Sequence, residues 1–410
     1  MPNAASRIIT PLLSLLLVTI GVIATGGSPA VAAEAPADSA TTDVSVYDYD
    51  LGDAAYTVGN FHAFNKHGRP AKRLAPLELT GRVYAPLAPT GRALPLVVIA
   101  HGLFWTCAND AKDTTGGEWP CRGGRTAIPS YAGYDYLGRS LAARGMVVVS
   151  IGANGVNAGE LGQVADRARA TLVFEHLRLW QQLVGAGSGA LAGAFTDPST
   201  GGPAAPDFRG SVDFSNVGLL GHSRGGRGMM WAAAAKHRNR VPAGVTFKAV
   251  FGLAAAGPAF MDRRRAAGYT VRDVPLMTWS GTCDATGRDE YNVLARRSHN
   301  PVNIALTVPG ANHNNLNARW AAASGLPGAE DDAYHPHGRP SRCYVQGTSV
   351  THGPQPTDRT LGYDAEQAVA TTYVTAFLAR YLQQDTSNDA VLSGASQPVA
   401  GLAAVELAAY

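Results

Sequence analysis

Val217-Gly218-Leu219-Leu220-Gly221-His222-Ser223-Arg224-Gly225-Gly226 decides how the chain is read. Val217 to Leu220 is a short apolar run of the kind that forms a buried strand. It breaks at Gly221, and Met229 to Ala235 has the composition of the helix that follows. Between them, Gly221-His222-Ser223-Arg224-Gly225 fits G-x-S-x-G, a turn that lifts a serine Oγ to the carboxyl edge of a sheet. The glycines matter because strand and helix approach closely across a strained backbone. The helix N-terminus beside the serine favours developing negative charge. Glycine supplies 47 of 410 residues, so the motif alone is a weak signal. The strand–turn–helix setting is what gives it force.

Outward from this stretch, strands and helices alternate. Strands are expected at Leu77 to Tyr84, Leu94 to Ala100, Met146 to Ile151, Ala249 to Ala254, Pro275 to Ser280 and Val302 to Val308. Helices are expected at Tyr134 to Arg144, Val164 to Leu183, Glu290 to Arg297 and Asp364 to Gln384. Continuous apolar strands separated by helices predict an α/β fold with a mostly parallel central sheet of about eight strands, helices on both faces and no large lid domain. Gly185 to Gly210, rich in Gly, Ala, Ser and Pro, reads as a surface excursion. Trp320 to Tyr363 reads as a solvated loop, with metal binding by Glu330, Asp331, Asp332, His335 and His337 as the rival.

A composition of 46% hydrophobic and 16% charged residues suits a globular enzyme. A net charge of +3 is too small to argue for a nucleic-acid partner. Arg7, the apolar run Ile8 to Ala24 and the small residues Ala30 to Ala33 predict a signal peptide over 1–33 and a secreted protein, without stable membrane insertion after cleavage. An uncleaved anchor is the alternative, weakened by Pro11, Ser14 and Gly21. Residues 34–43 form a linker, 44–385 the catalytic domain, and 386–410 an extension expected to add a strand or hairpin. In an oxidising compartment the four cysteines are expected to pair, and Cys107–Cys121 with Cys283–Cys343 is favoured over the other two pairings. The absence of C-x-x-C spacing argues against a metal site.

A serine hydroxyl needs a base to take its proton, and the base needs a third group to set its tautomer. For this motif the partners follow the serine in the order acid, then histidine, each just beyond a strand. Asp284 follows Pro275 to Ser280, and His313 follows Val302 to Val308. Helix capping is the other reading of Asp284, and Asp289 is the reserve acid. The oxyanion donors are expected to be the backbone N–H groups of Arg224 and of Leu103, or else Phe104. His101 and His222 read as structural. Phe104, Trp105 and Trp119 are either core or an aromatic wall beside the serine. Arg224 and Arg263-Arg264-Arg265 favour acidic acyl groups or are solvated.

Leu96 to Cys107, Trp119-Pro120-Cys121, Tyr131 to Leu137, Val147 to Asn157, Leu172 to Trp180, Gly221 to Gly226 and Gly310-Ala311-Asn312-His313-Asn314 resemble the exported bacterial α/β-hydrolases of the chlorophyllase, dienelactone-hydrolase and cutinase-like group. The resemblance spans about Leu77 to Leu382. It implies an esterase or lipase with Ser223, Asp284 and His313 as the triad. Arg224 stands where many polyester-cleaving members carry Met, and well-known members lack the Cys107–Cys121 segment. The expected activity is ester hydrolysis through an acyl-enzyme, by a monomer that needs no cofactor and acts on small or polymeric esters. With only a short segment between Ala254 and Asp273, an open cleft is expected. A peptidase or amidase, or a binding protein without catalysis, is the alternative.

Overall fold

The computed structural model describes residues 43–409 apart from 65–67, 88–90, 258–262, 285–289 and 330–359. Its centre is a sheet of eleven strands. In chain order these are β1 (Val44–Asp50), β2 (Thr80–Pro86), β3 (Leu94–Ala100), β4 (Val147–Ile151), β5 (Phe195–Thr196), β6 (Pro203–Ala204), β7 (Val212–His222), β8 (Phe247–Leu253), β9 (Leu276–Gly281), β10 (Asn303–Val308) and β11 (Glu406–Ala409). Their order across the sheet is β6-β5-β1-β2-β4-β3-β7-β8-β9-β10-β11.

The expectation of an α/β-hydrolase sheet, mostly parallel and about eight strands wide, is corrected here. Only the six strands from β4 to β10 run parallel. The other five pairings of the sheet, at its two flanks, are antiparallel. Two small sheets, His62–Phe64 with Pro70–Leu74 and Cys107–Asn109 with Thr114–Gly116 and Thr126–Ala127, are wholly antiparallel. Antiparallel pairings therefore outnumber parallel ones among the described residues. The physical reason lies in burial. Strands covered on both faces, such as Val-Val-Val-Ser-Ile in β4, read as apolar runs. Flanking strands are half-polar or only two residues long and leave no such run. β1, Val-Ser-Val-Tyr-Asp-Tyr-Asp, mixes polar and apolar residues and is not among the expected strands. The supposed excursion at Gly185 to Gly210 contains β5 and β6, which extend the sheet beyond β1.

Helices α1 (Asp135–Ala143), α2 (Gln163–Ala186), α3 (Arg224–Ala233), α4 (Glu290–Arg297) and α5 (Tyr363–Leu382) pack around the sheet. α2 and α3 share a core with one face, through residues such as Leu172, Leu177, Met229 and Met230. α1 and α5 close the other, through Leu137, Leu141, Tyr373 and Phe377. After α5 the chain adds β11 against β10 as an antiparallel edge strand. No described helix is long and apolar enough to cross a membrane. The expected signal peptide, the linker as far as residue 42, Asp289, and the residues Glu330 to His337 and Cys343 lie outside the described residues.

Candidate active site

The carboxyl ends of four parallel strands converge. β7 lies between β3 and β8, with Gly221 opposite Ala100 and His222 opposite Leu253. Ser223, directly after β7, has φ 56° and ψ −126°. Such a backbone is rare for a residue with a side chain and is held only where its surroundings over-determine it. Here the Ser223 N–H donates to Leu253 O (3.1 Å), and its carbonyl accepts from Ala256 N–H (3.0 Å). A methyl group at Gly221 would lie 2.6 Å from Gly225 backbone atoms, and one at Gly225 would collide with the Ala100 carbonyl. Glycine at both positions is what lets α3 start so close to the sheet.

Asp284 and His313 meet. His313 Nδ1 lies 2.9 Å from Asp284 Oδ2, both side chains nearly removed from solvent. Three further contacts lock the two loops together. Thr282 N–H donates to Val308 O (3.1 Å), Cys283 N–H to Ala311 O (2.9 Å), and Gly310 N–H to Thr282 Oγ1 (2.8 Å). With Nδ1 donating to the carboxylate, His313 Nε2 is the basic nitrogen. The His313 ring sits 4.7 Å, centroid to centroid, from His222, the residue before Ser223. No hydrogen bond joins Ser223 Oγ to His313. Such contacts are often long without substrate and tighten in its complex.

His222 is fully buried, with Nδ1 2.9 Å from Tyr134 Oη. Burial, then His313 and His101, hold its pKa well below the usual imidazole value, so it stays neutral. Trp320 stacks on His222 at 4.8 Å, and Phe104 stacks on Trp320 at 5.1 Å. Phe104 thus joins the ring layer over the histidines. Trp105 is 46% exposed and lies against Gly328. Trp119 is turned inward, its indole N–H donating to Asp53 O (2.8 Å). Only Phe104 of the three expected wall residues is tied to the site.

The Leu103 and Arg224 N–H groups have no hydrogen-bond partner among the described residues. Gly102 lies against the serine, since a Cβ there would sit 2.9 Å from Ser223 Oγ. Its carbonyl accepts from Asn157 Nδ2 (2.9 Å) and pairs with His101 Nδ1 (3.0 Å). His101 Nε2 in turn accepts from Ala153 N–H (2.8 Å), so Nδ1 carries the proton and donates to Gly102 O. Burial lowers the His101 pKa to about 3 and keeps it in this neutral tautomer. In a trans peptide the C=O and the next N–H point in opposite directions. Pinning the Gly102 carbonyl therefore aims the Leu103 N–H the other way. Asn157 is held by Arg169 Nη2 on its Oδ1.

Glu366, on α5 and fully buried, accepts from Asn312 N–H (3.0 Å) and steadies the histidine loop. Glu78, buried too, accepts the backbone N–H groups of Asn154 and Gly155 ahead of Asn157. Burial raises its pKa to about 7 against those hydrogen bonds. Neither glutamate, nor Asn157, Arg169 or Trp320, carries a local sequence signal for its role here. Each acts across a long separation that only folding closes.

Ser223, Asp284 and His313 are 5%, 5% and 6% exposed. Cys107 and Cys121 form a disulfide. Cys283 is also disulfide-bonded, while Cys343 falls outside the described residues. Among the described residues no group of three His, Cys, Asp or Glu is placed to hold a metal. Compared with known proteins, the chain matches no family model and no curated protein.

Proposed function

We propose that the chain hydrolyses carboxylic esters through an acyl-enzyme on Ser223. The observation that carries this reading is the buried His313–Asp284 pair, 2.9 Å apart, held beside a serine on a strained turn. His313 Nε2 takes the proton of Ser223 Oγ as the oxygen attacks the ester carbonyl. Asp284 steadies the imidazolium that forms. The negative oxygen of the tetrahedral intermediate is held by the free N–H groups of Leu103 and Arg224, with the α3 N-terminus behind them. The alcohol leaves with the proton from His313, and water repeats the cycle to release the acid. No step calls on a metal or organic cofactor. Esters come ahead of amides because an alcohol leaves more readily than an amine.

We further propose that the protein is exported, acts as a monomer and takes small or polymeric esters. The Cys107–Cys121 disulfide supports an oxidising compartment. The test is hydrolysis of para-nitrophenyl esters of graded acyl length by the protein and by Ser223→Ala. A loss of several orders of magnitude in the variant is expected. Equal rates in both proteins would place the chemistry elsewhere.

A further inference from the structure

Three arginines, Arg224, Arg227 and Arg169, gather on the α2 side of Ser223, with Asp166 among them. Arg224 and Arg227 lie one turn apart on α3, and Asp166 and Arg169 one turn apart on α2. Asp166 is engaged through one oxygen. Its Oδ2 accepts from Arg227 Nη2 (2.7 Å) and Nε (3.0 Å) and from Tyr269 Oη (2.6 Å). Arg169 is 2% exposed and hydrogen-bonds the neutral Asn157 amide oxygen, with Asp166 and Glu78 acting on it at longer range. Its Nε is buried without a hydrogen bond among the described residues. Arg224, half-buried, has neither a hydrogen bond nor an ion pair for its guanidinium among the described residues. Burial, then repulsion from Arg227, lowers its pKa, and Asp166 offsets this less. Of the other carboxylates in the region, Glu78 spends both oxygens on backbone N–H groups, and Glu290 packs against Gly257.

A half-buried guanidinium without a directly paired carboxylate gains when a ligand supplies one. Its planar fork suits a carboxylate, which can accept two parallel hydrogen bonds. Arg224 follows the nucleophile directly, so an anion on its guanidinium is within one arginine side-chain length of Ser223. We propose that Arg224 is the head of a carboxylate subsite, backed by Arg227 and Arg169, and that the preferred substrates are half-esters whose acid part carries a free carboxylate a few bonds from the scissile carbonyl. This rests on the ester-hydrolase reading, and the two are separable by experiment. The arginine run at 263–265 plays no part in it; Arg265 is exposed.

Two measurements test the subsite. The first compares mono-para-nitrophenyl adipate with para-nitrophenyl hexanoate, which share chain length and leaving group. The protein should favour the half-ester by about tenfold or more in kcat/KM, the value of one charge-assisted contact. Arg224→Met should bring that ratio to about one, and Arg224→Lys should keep part of it. Both rates are read in the same variant, so any change in general catalytic power cancels. The second measures monomethyl adipate binding to Ser223→Ala by calorimetry, with no turnover required. Binding should weaken about tenfold when Arg224→Met is added, and should also weaken with salt. A ratio near one in the unaltered protein, or binding indifferent to Arg224, overturns the subsite. Arg224-dependent binding without Ser223-dependent turnover instead keeps the subsite and overturns the hydrolase reading.

Discussion

At the scale of single residues, the proposed reaction separates groups that would touch a substrate from groups that aim them. Asp284 sets the His313 tautomer through one 2.9 Å contact. Asp284→Asn should leave the fold intact and lower kcat about 10⁴-fold in the nitrophenyl ester assay, because the amide favours the wrong tautomer. Asn157 works at one remove, by turning the Gly102 carbonyl and hence the Leu103 N–H. Asn157→Leu should lower kcat by about 10²-fold while KM moves little, since the aimed N–H matters only once the oxyanion forms. A purely structural role for Asn157 would instead lower thermal stability and leave kcat in the surviving protein unchanged.

At the scale of elements, the junction of β7 and α3 tolerates no side chain. A Cβ on Gly225 falls on the carbonyl of Ala100 at the end of β3, a backbone atom that cannot rotate away. Gly225→Ala should cost about 3 kcal/mol or more, seen as a lower midpoint in urea together with lost activity. The loops carrying Asp284 and His313 are tied to each other by backbone bonds and to α5 by Glu366. That bracing makes α5, far along the chain, part of the machinery that places the base.

At the scale of the whole molecule, the Cys107–Cys121 disulfide closes a loop with a sequence separation of 14. Replacing both cysteines by serine should cost about 3 kcal/mol by the chain-entropy account, checked by denaturant unfolding. Acid stability has a clear sign. Burial lowers the pKa values of His101 and His176 to about 3 and holds that of His222 well below normal. Below about pH 6.5 the unfolded chain takes up protons that these folded imidazoles refuse, so stability falls as pH drops towards about 3. Glu78 acts oppositely, its penalty growing as pH rises from about 4.5 to its folded pKa of about 7. With His237 also lowered to about 4 by burial, four histidines against Glu78 should lower the thermal midpoint at pH 5 relative to pH 7. His176→Gln should shrink that difference.

The amino-acid sequence by itself determined the local events. G-x-S-x-G after an apolar run marks the strained turn at Ser223, and strand ends followed by Asp284 and His313 mark the other two groups, because these signals are written within a few residues. The six parallel strands were equally legible, since burial on both faces demands continuous apolar runs. The tertiary structure alone decided the rest. It added β1, β5 and β6 and made the flanks antiparallel, through half-polar or very short strands that gain their stability from neighbours rather than from composition. It also buried the triad, chose Phe104 over Trp105 and Trp119, and brought Asn157, Arg169, Trp320 and Glu366 to the site. Those groups act through contacts between distant segments, and such contacts exist only once the chain has folded and excluded water around them.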